Sequence, residues 1–355
     1  MHDAKGSLLY IGKAKNLKKR VASYTRPGRM DGRLQRMISA TTSMEFITTH
    51  TEVEALLLES NLIKKLKPRY NILLRDDKSF PYILITGDHD WPQITKHRGA
   101  RNQTGRYFGP FASAGAVNAT IIALQKAFPL RNCSDSIFSS RTRPCLQHQI
   151  KRCTAPCVGK INAKDYGAIV DQAFTFLSGK SHAIQESFST RMQAASNDLD
   201  FETAAIYRDR IHALTQIQAR QGINNQGIGD TDVVAVHQKA SQTCVQVFFF
   251  RAGQNFGNRA HFPSNARGRD PAEVAEAFLG QFYAGNPPPK QILLSHPIEH
   301  HGLVEEALSL RAECKVTLHT PKRGKKHELV VRAVANAAQA LDRRLAESAS
   351  QRQFL

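Results

Sequence analysis

Residues 9–21 read LYIGKAKNLKKRV, an apolar stretch that is broken by a glycine and followed by a basic segment. Residues 7–11 have the character of a short apolar β-strand, and Gly12 interrupts it. Asn16 can open a helix in which apolar residues recur at helical spacing with basic residues between them. The stretch therefore predicts a strand, a tight turn and a basic helix, with Tyr10 near the end of the strand.

A second helix is predicted over residues 52–66, where Ala55, Leu58, Leu62 and Leu66 fall on one face. Glu59 stands among aliphatic neighbours in that helix. A buried carboxylate is costly without a partner, and a divalent cation would supply one.

Tyr10, Lys13, Arg20 and Glu59 together form a set suited to phosphodiester chemistry. Such a reaction needs a nucleophile, a group that takes its proton, cationic groups that stabilise the pentavalent phosphorane, and usually a divalent ion. Each residue also has an ordinary explanation: Tyr10 as a strand residue with a solvated hydroxyl, the cations as a solvated face, and Glu59 as an exposed helix residue. The combination favours the chemical interpretation.

The chain has 355 residues, and Lys and Arg outnumber Asp and Glu by 49 to 30, a formal net charge of +19. About two to four domains are expected at this length. The positive field attracts polyanions, so DNA or RNA is the expected partner, although the charge could serve solubility alone. The N-terminus has no apolar leader and no stretch approaches the roughly 18 apolar residues of a membrane span, so we expect a cytoplasmic protein without a membrane partner.

Four of the six cysteines follow the pattern C-x11-C-x7-C-x3-C, and they are Cys133, Cys145, Cys153 and Cys157. Structural disulfides are not expected in a reducing compartment, so this group predicts a metal site. The spacing leaves a tetrahedral zinc and an iron–sulfur cluster open, and four unrelated buried thiols are the ordinary alternative. Cys244 and Cys314 stand in apolar runs and are predicted to be core thiols.

Alternating and helical patterns organise the rest of the chain. Two antiparallel helices are predicted between Tyr166 and about Ile217, with Asp200 as the cap of the second. Further strands are predicted at 44–49, 80–86, 91–96, 232–237, 244–251, 254–262, 292–295 and 316–318, and further helices at 117–128, 271–284, 303–311 and 328–346. The predicted fold class is multidomain α/β and α+β.

Residues 9–21, the segment 51–59 (TEVEALLLE) and residues 68–71 (PRYN) resemble the GIY-YIG nuclease domain of the UvrC family, the incision subunits of bacterial nucleotide excision repair. The resemblance implies that Tyr10 is a general base, Arg20 stabilises the phosphate and Glu59 binds Mg²⁺ or Mn²⁺. It gives Lys13 and Asn71 supporting roles and makes Tyr24 a further active-site tyrosine. Contacts with DNA are expected at Lys15, Lys18, Lys19 and Arg152.

Residues 192–211 resemble the UVR motif, which implies that this helical hairpin binds the matching hairpin of the helicase UvrB. The contact residues expected are Phe201, Glu202, Arg208 and Asp209. Similarity to the family also favours a [4Fe-4S] cluster at the four cysteines, with zinc as the alternative. Residues 231–320 resemble a ribonuclease H-like segment in which no convergent set of catalytic acids is evident.

The resemblance divides the chain into six segments. They are a GIY-YIG nuclease domain (1–80), a connecting α/β region with the cysteines (81–162), a helical hairpin (163–220), a linker (221–230), a ribonuclease H-like domain (231–325) and a final helix (326–355). The family's first tyrosine motif would precede Tyr10 by about ten residues, so we expect the chain to be N-terminally incomplete. The family's second nuclease and helix-hairpin-helix domains would lie beyond Leu355.

The function expected from the resemblance is hydrolysis of damaged double-stranded DNA on the 3′ side of a lesion, in complex with UvrB. Two alternatives remain open. One is a non-catalytic module that binds DNA and UvrB, because the first tyrosine motif is missing. The other is an RNA-binding zinc protein.

Overall fold

The computed structural model describes residues 1–24, 32–74, 79–179, 181–220 and 228–353. Helices and two β-sheets make up this part of the chain, which confirms the predicted α/β and α+β class. The described residues form two compact units. The first takes its residues from 1–78, 231–248 and 259–355, and the second from 79–230 and 249–258.

The elements are numbered here in chain order. The helices are α1 (Leu17–Tyr24), α2 (Gly32–Ala40), α3 (Glu52–Leu66), α4 (Ala114–Ala127), α5 (Asp135–Ser139), α6 (Leu146–Gln149), α7 (Ala163–Leu177), α8 (Ser181–Asn197), α9 (Phe201–Arg220), α10 (Pro271–Phe282), α11 (His301–Ala312) and α12 (Lys325–Gln353). The strands are β1 (Pro81–Thr86), β2 (Ile94–Arg98), β3 (Gly105–Phe108), β4 (Thr231–Lys239), β5 (Gln242–Arg251), β6 (Gln254–His261), β7 (Gln291–Leu294) and β8 (Thr317–His319).

Helix α3 has the predicted bounds but a different buried face. Thr51 caps it by accepting a hydrogen bond from the Glu54 backbone N–H at 3.1 Å, and Lys67 ends it in the left-handed conformation with φ of 51°. The buried residues are Val53, Leu56, Ser60 and Ile63, whereas Leu66 of the predicted face is half exposed. Helices α10 and α11 pack against α3, and α10 meets the stripe that contains Ser60, so that stripe is buried instead of the predicted one.

The larger sheet has the strand order β6-β5-β4-β7-β8, and its first three strands correspond to the strands predicted at 232–237, 244–251 and 254–262. Strands β4 and β7 pair in parallel, as do β7 and β8. Ala240 and Ser241 have φ values of 49° and 62°, the signature of a tight two-residue hairpin turn between β4 and β5. Helix α12 packs against β4 and β7, and Ala337 and Leu341 are fully buried beside Cys244.

The second unit contains the antiparallel sheet β2-β1-β3, against which α4 packs. Helices α8 and α9 form an antiparallel hairpin as predicted, but the segment from Tyr166 to Ile217 contains three helices rather than two, because α7 ends at Leu177 and Gly179 turns the chain with a φ of 93°. Asp200 caps α9 by accepting a hydrogen bond from the Thr203 N–H at 3.0 Å. The ring of Phe188 lies 5.9 Å from Phe128 and 5.7 Å from Tyr207, which ties the hairpin to α4. Most of the predicted linker, residues 221–227, lies outside the described residues.

Two predicted strands are wrong. In residues 7–11 the pairing is a single bridge from Leu8 to His2, and next to residues 44–49 it is a single bridge from Ser43 to His2. The backbone of 9–11 finds its partners in Met1, Tyr70 and the side chain of Asn71 rather than in a ladder. In 44–49, Phe46 and Ile47 are 56% and 65% exposed, so no alternating buried face is present to anchor a strand.

Cys244 is buried as predicted. Cys314 was also predicted to be a core thiol, but it is exposed, because α11 ends at Ala312 and the cysteine follows in the turn.

Strand β3 was not predicted. It starts at Gly105, where an added Cβ would lie 2.4 Å from the Ile85 carbonyl oxygen, so only glycine fits this close approach. Among the described helices, none combines the length and apolar character needed to span a membrane.

Candidate active site

A cleft of about 1290 Å³ opens in the first unit and brings together residues that are distant in sequence. Five of the six predicted catalytic residues line it: Tyr10, Lys13, Arg20, Glu59 and Asn71. The sixth, Tyr24, is not among the lining residues, but its ring lies beside the Arg20 guanidinium. Of the lysines predicted to contact DNA, Lys15 and Lys19 line the cleft, whereas Lys18 is exposed on α1 and does not.

Arg20 connects the two tyrosines. Its guanidinium lies 5.4 Å from the centroid of the Tyr24 ring and interacts electrostatically with the phenols of Tyr10 and Tyr24. Arg20 and Tyr24 are four residues apart on α1, so they share one helix face. Asn16 fixes the start of that helix by accepting a hydrogen bond from the Lys19 N–H at 3.0 Å.

The phenol of Tyr10 keeps its proton at neutral pH. Burial raises its pKa to about 12, with further contributions from the Tyr24 phenol and the Glu59 carboxylate, and Arg20 acts in the opposite direction. A general base must lose its proton before it can accept another. Arg20 is therefore the side chain on which the predicted role of Tyr10 depends.

Gly12 makes room for the Tyr10 ring. A Cβ added at Gly12 would lie 2.6 Å from Cε1 and 2.8 Å from Oη of Tyr10. The ring therefore folds back over the turn that follows its own strand-like segment. A larger residue at this position would therefore displace the Tyr10 ring.

Glu59 faces Tyr10 from α3. Its Oε1 accepts a hydrogen bond from the Lys13 backbone N–H at 3.0 Å. Burial raises the pKa of this carboxyl group, and the Glu276 carboxylate adds to the rise, while Lys13 and Arg20 oppose it. One carboxylate is enough for Mg²⁺ when waters and substrate phosphate complete its coordination. Among the described residues, no group of three or more His, Cys, Asp or Glu side chains is placed to hold a metal ion.

The side chain of Asn71 is hydrogen-bonded to the backbone of Ile11, the residue that follows Tyr10. Its Oδ1 accepts from the Ile11 N–H at 2.9 Å, and its Nδ2 donates to the Ile11 carbonyl oxygen at 2.7 Å. The side chain is buried, so both ends of the amide are satisfied by the residue next to Tyr10. The predicted supporting role of Asn71 thus has a geometric basis in the backbone, not in contact with a reacting group.

The cleft also contains acidic residues that the sequence did not single out: Asp270, Glu273, Glu276 and Glu299. Glu276 pairs with His300, whose Nδ1 lies 2.8 Å from Oε1 of the glutamate. These residues lie in α10 and in the positions just before α10 and α11, more than 200 positions after Tyr10. Local patterns gave no signal for them, because α10 has the periodicity of an ordinary amphipathic helix.

Four family models match the chain in consecutive segments. They are described as UvrC-like GIY-YIG domain (1–72), UvrC/Cho excinuclease middle domain (80–176), UvrB/uvrC motif (188–217) and UvrC ribonuclease H-like domain (230–344). The UvrABC system protein C of Paramagnetospirillum magneticum is 60% identical, and that of Rhodospirillum rubrum 61% identical, over all 355 residues. The chain belongs to the UvrC family.

The chain spans just over half the length of these UvrC relatives, 57% of the first and 56% of the second. No solved structure matches it. All six predicted catalytic residues fall within the segment that matches the UvrC-like GIY-YIG domain. The acidic residues of the cleft, Asp270, Glu273, Glu276 and Glu299, fall within the segment that matches the UvrC ribonuclease H-like domain.

In the UvrC middle-domain segment, the four predicted cysteine ligands line one cavity of about 720 Å³. Arg131, Arg141 and Arg143 line it too. Burial raises the pKa of Cys153 to about 11, and the three other thiols add to the rise. Two buried polar atoms near these cysteines, Gln147 Oε1 and Thr154 Oγ1, have no hydrogen-bond partner in the described structure. Arg152, predicted to contact DNA, is half exposed and does not line the cavity.

In the segment that matches the UvrB/uvrC motif, the predicted contact residues are at the surface. Phe201 is 65% exposed at the start of α9, beside Leu199 at 72%. Glu202 is exposed as well, and Arg208 and Asp209 form an ion pair with each other at 2.8 Å. The hairpin therefore presents apolar surface at its turn and a charged pair further along α9.

Proposed function

We propose that this chain forms the part of a UvrC-type excinuclease that hydrolyses a DNA phosphodiester on the 3′ side of a lesion, in nucleotide excision repair. The observation that carries the proposal is the arrangement around Arg20, which interacts with Tyr10 and Tyr24 and lines the same cleft as Tyr10 and Glu59. The names of the family models and relatives support the assignment to an excision nuclease. With chromosomal DNA as its substrate, the protein would act in the cytoplasm.

In the proposed reaction, each side chain has one task. Arg20 contacts the scissile phosphate and stabilises the negative charge that develops on it. Tyr10, once ionised, takes a proton from the attacking water. Glu59 would hold Mg²⁺ or Mn²⁺, which would supply positive charge at the leaving oxygen and favour the ionised phenol.

The backbone geometry fixes these groups before substrate arrives. The Lys13 N–H orients Glu59, and the amide of Asn71 holds Ile11 beside Tyr10. Lys15 and Lys19 add positive charge along the same wall of the cleft. Such an arrangement positions one phosphate without reading bases, so the proposed specificity comes from the shape of DNA that its partner has remodelled.

A nicking assay on a damaged duplex with UvrB and Mg²⁺ tests the proposal. Arg20→Ala and Glu59→Gln should each reduce the single-turnover rate by about 10²-fold or more, the usual effect of removing one charge-stabilising group. Arg343→Ala and Glu347→Gln change the same charges at exposed positions of α12 and serve as matched controls. The nuclease proposal is wrong if the first pair of variants cuts as fast as the control pair.

We also propose that the four cysteines hold a [4Fe-4S] cluster. The four cysteines line one cavity of about 720 Å³ together with Arg131, Arg141 and Arg143. The three arginines would balance the negative charge of a cluster held by four thiolates.

Elemental analysis of protein purified without oxygen distinguishes the two metals. About four iron atoms and four acid-labile sulfides per chain are expected, with a brown colour that is lost in Cys153→Ser. One zinc per chain without iron would overturn the cluster and favour the zinc alternative.

The exposed apolar turn of the helical hairpin supports the proposal that UvrB docks there. A two-helix unit cannot bury both of its apolar faces by itself, so a second hairpin is a suitable partner. Phe201→Ala should weaken UvrB binding by about 30-fold, as expected for an aromatic anchor worth about 2 kcal/mol. Leu310→Ala, which trims an apolar side chain that is 62% exposed on α11, is the control. Equal affinities of the two variants would exclude Phe201 as the anchor.

A further inference from the structure

The segment 69–74 is hydrogen-bonded to the two residues that flank Tyr10. The Tyr70 N–H donates to the Leu9 carbonyl oxygen at 2.9 Å, and the Asn71 side chain pairs with both backbone groups of Ile11. Tyr10 is therefore flanked on each side by a residue that is hydrogen-bonded to this segment. Any shift of 69–71 moves the phenol that faces Arg20.

The opposite side of the same segment is held by the ribonuclease H-like domain, first through Asn265. The Nδ2 of Asn265 donates to the carbonyl oxygens of Arg69 at 2.8 Å and Asn71 at 2.9 Å. The neighbouring Ser264 forms an antiparallel bridge with Leu73, with N–H···O distances of 2.9 and 3.1 Å. One side-chain amide thus fixes the backbone on both sides of Tyr70.

Gln281 holds the rest of the segment from α10. Its Nε2 donates to the Ile72 carbonyl oxygen at 2.9 Å, and its Oε1 accepts from the Leu74 N–H at 2.9 Å. The side chain is 4% exposed, so it acts as a buried substitute for a strand neighbour. Helix α10 itself lies close against α3, because a Cβ added at Gly280 would lie 2.5 Å from Ser60 Oγ, next to Glu59.

We propose that Asn265 and Gln281 are positioning residues for the nuclease site, and that the ribonuclease H-like domain sets the geometry of Tyr10 through the segment 69–74. This inference rests on the proposed nuclease function. Ordinary domain packing would distribute its polar contacts over the interface. Here two side-chain amides place four hydrogen bonds on the backbone of one six-residue segment, and that segment carries Asn71.

The test uses variants that remove each amide with little other change. Asn265 has a φ of 62°, so Asn265→Gly removes the side chain without straining the left-handed backbone. Gln281→Met keeps the length of the side chain and removes its hydrogen bonds. Asn286→Ala is the matched control, because its amide also bonds a carbonyl in this domain, that of Phe282, but does not contact residues 69–74.

Both variants should slow single-turnover nicking at saturating DNA by about 10-fold while DNA affinity stays within about two-fold, because the reacting group and not the DNA contact is displaced. In an Asn71→Ala background, the further loss from Asn265→Gly should fall below about two-fold, since both changes act on one path. Wild-type rates in both variants, or an undiminished effect in the Asn71→Ala background, would overturn the proposal.

Hydrogen exchange at the Ile11 amide separates this inference from the proposed function. The Ile11 N–H is bonded to Asn71, so its exchange should accelerate by about 10-fold in Asn265→Gly and Gln281→Met but not in Asn286→Ala. The amide of Val234, in the fully buried centre of β4, should be unchanged in all three. If the wild-type chain does not nick DNA, the proposed function fails. The exchange rate of the Ile11 amide then still decides whether the side chains of Asn265 and Gln281 position the backbone next to Tyr10.

Discussion

The contact between Gly12 and Tyr10 allows the position of the phenol to be changed without changing its chemistry. In Gly12→Ala the new Cβ would lie 2.6 Å from Cε1 of Tyr10, whereas ordinary van der Waals contact begins at 3.4 Å. The ring must therefore move by about 0.8 Å. The backbone at Gly12 is not in the left-handed region, so alanine adds no conformational strain there.

The expected effect on activity is much larger than the effect on stability. A misplacement of about 1 Å at a reacting group can cost about 10²-fold in rate. The ring atoms that Cβ meets are at the far end of a side chain that borders the open cleft, so relaxation keeps the loss of folding free energy near the lower end of the 1–3 kcal/mol typical of overpacking. We expect Gly12→Ala to cut damaged DNA about 10- to 100-fold more slowly while remaining folded.

The assay is single-turnover nicking of damaged duplex with UvrB and Mg²⁺, combined with a thermal melt of each protein. Gly32→Ala is the control, because a Cβ at the start of α2 would meet nothing within 4 Å. The reasoning is refuted if Gly12→Ala is folded and cuts at the rate of Gly32→Ala. The position of the Tyr10 phenol would then not limit the reaction.

Three further outcomes are expected. Hydrogen bonds from Thr203 lower the pKa of the Asp200 carboxyl group. The cap that Asp200 forms therefore stabilises α9 fully above the unfolded pKa near 4, and this stabilisation is lost as the pH falls through the lower folded pKa. Asp200→Asn should keep a cap that does not depend on pH, and amide exchange in α9 between about pH 2 and 6 measures the difference. Phe188→Ala should lower the free energy of unfolding of the second unit by about 3–5 kcal/mol in a denaturant titration, because the Phe188 ring is 1% exposed and contacts Phe128 and Tyr207. Ile122→Ala, at an exposed site of α4, should change the same free energy by less than about 1 kcal/mol. Chelation with EDTA should abolish nicking and added Mn²⁺ should restore it, whereas metal-independent cutting would contradict the role given to Glu59.

The elements that the sequence predicted well are those whose signals are local. Helix α3 has Thr51 at its start, glutamates in its first turn and lysines in its last, so its bounds follow from capping and charge alone. The hairpin of α8 and α9 is interrupted at a residue that can cap, Asp200. These features act within a few residues and need no knowledge of the tertiary structure.

The wrong strand at 7–11 shows where local signals end. The residues are apolar as predicted, but Ile11 finds its hydrogen bonds in a side-chain amide 60 positions away. The candidate site divides in the same way. Tyr10, Arg20 and Glu59 belong to recognisable motifs, whereas Glu276, Asn265 and Gln281 enter through a domain contact that no pattern in their own helix or turn encodes.

The charges around the cleft limit how DNA can enter it. One wall carries Lys13, Lys15, Lys19 and Arg20, and the other carries Asp270, Glu273, Glu276 and Glu299. In the proposed function both walls would act on a phosphate in the cleft, because both line the same cavity. A phosphate is therefore drawn toward α1 and repelled from α10, which directs it to Arg20. In the proposed function Glu59, which accepts a hydrogen bond from the Lys13 backbone and feels the charge of Glu276, would bind the divalent cation beside that phosphate. The acidic residues of the other wall would then favour the cation and disfavour other paths for the DNA backbone.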